Sequence, residues 1–414
     1  MPRFNLRSPL LQAPHRLGFL AGGVLLLASL LVWALEMLSR SAGFSLTLGQ
    51  EIGHQVGIPA MLWHGYLMIY GFFPLFMLGF IYTAGPRWLN VPSPSRRQYV
   101  PVLLLFAMGS VLDILGRWLP ACMLVGVACH ALAWLAGALI WCRAVWRSPV
   151  PDKTHALLIA IAFALGGAGM LAAWAGFALG QVTGWRLSIT LGVWGFLLPV
   201  FLVVSHRMIP FFSANVLQPP QSPQPYIAWR PLSLLYTLGG LLLLRIILEY
   251  LQLNTLLADL PLAVGLLYTS WRWQLRRSFQ VKLLAMLHAA FAWAGLGMTL
   301  FVVSDVLQLL GQPGLGFAPL HALTLGFFCT MLLAFVTRVT LGHSGRPLLA
   351  GGVAWVAYWA MHGVALARVL GEIIPAWQGV LYLLAALAAG IAVAAWSRVY
   401  LPMYWQARAD GQPG

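Results

Sequence analysis

Carboxylates are what this chain most lacks: nine Asp and Glu in 414 residues, within a total charged share of 8%. A soluble core of this length needs far more polar surface, so a bilayer is the solvent for most of the chain. Cysteine is also scarce. Cys122, Cys129, Cys142 and Cys329 show no CxxC spacing and lie in apolar runs, which excludes a disulfide framework and a zinc site. Of the few acids, Glu36, Asp113, Glu249 and Asp305 fall toward the ends of apolar runs, with Glu51, Asp259 and Glu372 in or near loops. None marks the middle of a broken helix, where a proton-coupled carrier places its coupling carboxylate.

What is present is hydrophobic, 61% of all residues. Twelve runs have the length of a helical span, at 17–39, 59–84, 99–118, 120–143, 155–180, 187–209, 231–251, 254–274, 283–310, 317–341, 350–370 and 375–401. The linkers are short and hold the breakers Pro92, Pro94, Pro149, Pro151 and the Pro219–Pro225 stretch. The expected architecture is an all-α membrane protein, a bundle of about twelve helices forming one integral domain over 1–414. In that topology nineteen basic residues fall on one side, Arg3, Arg7, Arg16, Arg87 and Arg408 among them, against Arg40, Arg117, Arg186 and Arg368 on the other. The asymmetry puts both termini in the cytoplasm. The net charge of +15 is therefore a topology signal; separate short basic loops do not make a nucleic-acid surface. The first run is too long for a cleaved signal peptide.

Histidines are the polar residues kept in these apolar runs, and a ring in hydrocarbon needs a bonding partner. His64 and His321 each lie about a turn below the outer start of a span running inward, at equal depth on separate helices, as a bis-histidine haem requires. His206, His288 and His343 form a second, cytoplasmic layer, with Arg207, Arg338 and Arg346 beside them to pair with haem propionates or other anions. That layer suits a second haem or a copper ion, with ordinary interfacial placement as the alternative. His130 and His362 lie nearer mid-membrane, have no depth-matched partners, and read as hydrogen-bonded to neighbouring groups. His15, His54 and His155, at span ends or in loops, read as interfacial. Trp185 and Trp229 fit an interfacial belt, and Trp63 is a candidate wall of a ring pocket at His64. Spans 2, 6 and 10 share a direction, and each carries one of His64, His206 and His321 and ends near Arg87, Arg207 or Arg338.

The segment Pro319–Arg346, PLHALTLGFFCTMLLAFVTRVTLGHSGR, resembles the signature of the NnrS family of bacterial membrane proteins. Ser205–Phe212, SHRMIPFF, is similar to that family's Arg-x-Ile-Pro-Phe-Phe stretch, and Trp63-His64 with Gly79–Trp88 and Leu287-His288 with Phe291 and Trp293 fit its second and ninth spans. The second-span motif departs from the family's usual Trp-His-x-His-Glu-Met: Tyr66 and Leu67 stand where a histidine and an acid are common. The resemblance implies a bacterial inner-membrane protein with haem, and copper as a second candidate, serving the response to nitric oxide in a denitrification setting. Nitric oxide would be its gaseous ligand and the redox partner is not specified. In outline the twelve spans also resemble the haem–copper oxidase catalytic subunit, whose adjacent histidine pair after span 6 is absent here. The competing class is a secondary transporter of a small solute, which would purify colourless and metal-free.

The topology is directly testable. Reporters fused after Gln50 or Gln181 should read as periplasmic and one at Gly414 as cytoplasmic; a periplasmic signal at Gly414 inverts both histidine layers.

Overall fold

A computed structural model describes residues 8–44, 59–217 and 229–412. Arg3, Arg7, Gln50, Glu51, His54, the Pro219–Pro225 stretch and Gly414 lie outside the described residues. Helix is the regular structure present, with no strand among the described residues. Among the described residues eleven helices are long and apolar enough to cross a membrane: α1 Pro14–Ala42, α2 Ala60–Leu89, α3 Arg96–Leu115, α4 Pro120–Arg147, α5 Thr154–Ala178, α6 Val182–Leu217, α7 Leu232–Tyr250, α9 Lys282–Leu309, α10 Ala318–His343, α11 Gly352–Ile373 and α12 Pro375–Tyr404. Between α7 and α9 lies α8, Leu256–Arg272, whose 17 residues are at the short end of spanning length. The chain is thus a multi-pass helical membrane protein.

Local sequence sets many of the helix ends. Pro14 and Pro120 open α1 and α4, where a missing N–H breaks no helical bond. Before α3 the Ser95 N–H donates to Gln98 Oε1 at 2.8 Å, satisfying a group the helix leaves open. Gly43, at φ 73°, ends α1 in the left-handed conformation.

Three spans are irregular within their length. α2 is interrupted at Gly71–Phe72, between helical stretches Ala60–Tyr70 and Phe73–Leu89. α6 carries a π-helical stretch at Leu191–Leu197, and α10 one at Ala322–Cys329. These same three spans are the most enclosed: 83%, 67% and 72% of their apolar windows are buried, against 22–56% for the other eight long spans. A widened or broken helical turn leaves backbone groups short of their usual partners, which hydrocarbon punishes unless protein surrounds them.

The chain divides into two compact units. The first comprises Met1–Leu197, Gly342–Arg346 and Ser397–Gly414. Its helices approach closely through glycine: a Cβ on Gly18 would lie 2.6 Å from Leu75 O, and one on Gly126 would lie 2.8 Å from Gly109 O. Such contacts are the usual means of packing spans where no water drives association.

The second unit comprises Leu198–Leu341 and Pro347–Trp396. It holds a buried ion cluster. Arg245 pairs with Glu249 one turn on, as the spacing predicts, and also with Asp259 of α8, Nε to Oδ1 at 2.8 Å. Thr255 Oγ1 lies 2.9 Å from Asp259 Oδ2 and 3.2 Å from Asp305 Oδ2. Asp259, read from sequence as belonging in or near a loop, is fully buried in the first turn of α8, and the Arg245 charge makes that tenable. Arg245→Ala should therefore lower stability by about 3–5 kcal/mol. The readout is the thermal midpoint of the detergent-purified protein; an unchanged midpoint would mean that the pair is solvated.

Candidate functional site

In the second unit, His321 ends the short helical stretch Ala318–His321, immediately before the π-helical turns of α10. Its Nδ1 lies 2.9 Å from Phe317 O. A carbonyl only accepts, so Nδ1 carries the proton and Nε2 keeps its lone pair, with no partner among the described residues. The turn before it is fixed in place. The Phe317 N–H donates to Glu372 Oε1 at 3.0 Å, and Glu372 Oε2 pairs with Arg368 at 2.8 Å. Gly316, at φ 53°, packs so tightly on Glu372 that a Cβ there would lie 2.7 Å from Oε1. Arg368 and Glu372 are also the charges that act on the His321 ring. By sequence Arg368 is a topology residue, since a position late in α11 gives no local sign of this neighbour.

The segments singled out around His206, His288 and Arg338 come together in this unit. His206 Nε2 lies 3.2 Å from Pro231 O, so that nitrogen is a donor. Ser213, the residue directly after the SHRMIPFF segment, places Oγ 3.0 Å from His288 Nε2. Phe212 takes the Arg338 guanidinium on its face at 3.9 Å. Arg207 is half-buried on the same stretch of α6. His206 and His288 are thus each bonded to protein and buried, at 2% and 1% exposure. His362 is bonded too: Trp293 Nε1 donates to its Nδ1 at 2.7 Å, leaving the proton on Nε2, which finds no acceptor among the described residues.

His343 belongs to the first unit and meets His15 there. His15, expected at the interface, is 3% exposed, and its ring lies 4.4 Å from that of His343, tilted 43°. The His15 N–H, at the open start of α1, donates to Thr83 Oγ1 of α2 at 3.1 Å. Arg16, Arg87 and Arg408 all act on the His343 ring. Arg16 Nη1 donates to Tyr404 O and Gln406 O at 3.2 and 2.8 Å, and Arg346 Nη2 donates to Gln406 Oε1 at 3.0 Å. The nearby acid is Asp410, whose carboxyl Arg408 holds down at about 2 through bonds of 2.9 and 2.5 Å.

His64, also in the first unit, stacks on Trp33, ring centroids 3.6 Å apart at 19°. The Trp63 indole donates to Asp113 O at 2.8 Å. Trp185, assigned to the interfacial belt, is 4% exposed and meets Tyr66 edge-on. Among the described residues no three His, Cys, Asp or Glu side chains converge to hold a metal ion. The four cysteines are free thiols.

The family model for the NnrS protein matches residues 9–408, nearly the whole chain. No curated protein matches it. The motif at Pro319–Arg346, whose two histidines the structure places in two different settings, is thus part of an end-to-end match, and the chain belongs to the NnrS family.

Proposed function

We propose that this nitric-oxide-associated membrane protein binds haem and that His321 would hold its iron. The supporting observation is the state of the His321 ring. Nδ1–H is held on a backbone carbonyl and Nε2 is bare, which is the orientation a ligating imidazole takes. The residues present therefore fit the group. A bound haem would supply an iron able to exchange one electron or bind a diatomic gas. The chain's contribution is positional: Glu372 anchors the Phe317 peptide, that peptide fixes the ring, and the π-helical turns begin directly behind it.

Copper is less well matched. The His15 and His343 rings lie 4.4 Å apart between centroids, and the arginines around them favour an anion over a cation. In this reading the protein resides in the bacterial inner membrane with both termini cytoplasmic, and acts in protection from nitrosative stress in a denitrification setting. Nitric oxide is its ligand.

The purified protein should show a Soret band with reduced α/β bands. His321→Ala should lose haem or change its ligation, while His362→Ala, whose ring is committed to Trp293, should leave the spectrum as it was. A colourless, metal-free preparation would favour the transporter class, and an unchanged spectrum in His321→Ala would remove this ligand assignment.

A further inference from the structure

Tyr66, the residue standing where the family commonly has a histidine, lies in a fully buried polar cluster. Tyr66, Ser110, Asp113 and His130 are each 0% exposed. The Tyr66 hydroxyl lies 3.1 Å from His130 Nδ1. On the ring's other side, Ser110 Oγ lies 2.9 Å from Nε2 and donates to Phe106 O at 3.1 Å. With its hydrogen spent on that carbonyl, Ser110 accepts from Nε2–H. Nδ1 is then the basic nitrogen, and Tyr66 donates to it. Phe106 stacks on the imidazole at 4.2 Å and 18° and fixes its plane.

Other buried tyrosines show what is different here. Tyr70, Tyr82, Tyr99 and Tyr358 donate to the carbonyls of Ser188, Gly137, Leu11 and Met286. A peptide carbonyl satisfies a phenol but cannot take its proton. One-electron oxidation at those positions would leave a strongly acidic radical cation in hydrocarbon with nowhere to release its proton. Tyr66 has a base in contact. Asp113 completes the set: no hydrogen-bond donor among the described residues is well aimed at either carboxyl oxygen, and His130 Nδ1 is 3.0 Å from Oδ2. An imidazolium at His130 is the charge this buried carboxyl lacks.

We propose that Tyr66 is a redox-active tyrosine, with His130 as its proton acceptor and Asp113 as the counter-charge. An electron leaves the Tyr66 ring for a one-electron oxidant, the phenolic O–H bond breaks, and the proton forms an N–H bond at His130 Nδ1. The products are a neutral phenoxyl, an imidazolium beside Asp113, and the reduced oxidant. Nitrogen dioxide is an oxidant of this class: small, uncharged and membrane-permeant, it becomes nitrite on taking one electron. Only that choice of natural oxidant rests on the nitric-oxide reading above; the electron and proton site does not depend on bound haem.

The test uses the full chain in detergent, oxidised with photogenerated ruthenium(III) tris-bipyridine and examined by electron paramagnetic resonance. The expected result is a phenoxyl signal that Tyr66→Phe removes and Tyr70→Phe leaves in place. His130→Gln should reduce its yield by about a hundredfold, as loss of a positioned base does, with an intermediate loss in Asp113→Asn. In the unaltered chain labelled with nitrogen-15 histidine, the phenoxyl should couple to one exchangeable proton and to an imidazole nitrogen. A phenoxyl without that coupling, or an equal yield in folded Tyr66→Phe, would overturn the proposal. Nitrogen dioxide generated by pulse radiolysis should oxidise the same residue; failure of that arm alone would remove the oxidant and leave the site.

Discussion

Every polar group placed in hydrocarbon must find its partner inside the protein, because no water is there to supply one. That constraint accounts for the arrangement of the few polar side chains in this molecule. Arg245 holds Asp259 and Glu249, Trp63 is held on a backbone carbonyl, and His362 is held by an indole. These groups fix neighbouring spans to one another at particular rotations, which apolar packing alone specifies weakly. They also separate the histidines by chemistry. His362 and His130 have each ring nitrogen accounted for by a protein group or an enclosed N–H, whereas His321 keeps a lone pair open.

The same constraint explains why the irregular spans are the enclosed ones. The break in α2 and the π-helical turns in α6 and α10 disturb the backbone ladder, and protein covers those stretches most completely. A widened turn also rotates the side chains that follow it. In α10 this separates the setting of His321, at the start of the π-helical stretch, from the regular helix that ends at His343. The three spans that carry His64, His206 and His321 are also the three that share a structural peculiarity.

Much of the fold was legible from composition and run length, since burying apolar runs of about 20 residues in a bilayer leaves helix as the available structure. The pairing of Arg245 with Glu249 was legible for a similar reason: four residues along a helix are neighbours whatever surrounds them. The partner of Arg245 on α8 was not, because Asp259 lies across a turn and only packing brings it inward. His15, Trp185 and Asp113 were misread or passed over for one shared reason. Each sits near the end of a span, where sequence position is compatible with either the interface or the core, and the structure buries all three.

By itself the sequence determined the class of the protein, its family, and the set of histidines in apolar surroundings. These follow from local composition and from motifs continuous along the chain. Only the tertiary structure decided what each histidine touches. His321 turns to the carbonyl one turn before it, His343 meets His15 across 328 positions of sequence, and His130 receives the hydroxyl of Tyr66 and the carboxyl of Asp113. The proton and lone pair of an imidazole depend on what its two nitrogens touch. Those contacts are made between helices, where no spacing along the chain can specify them.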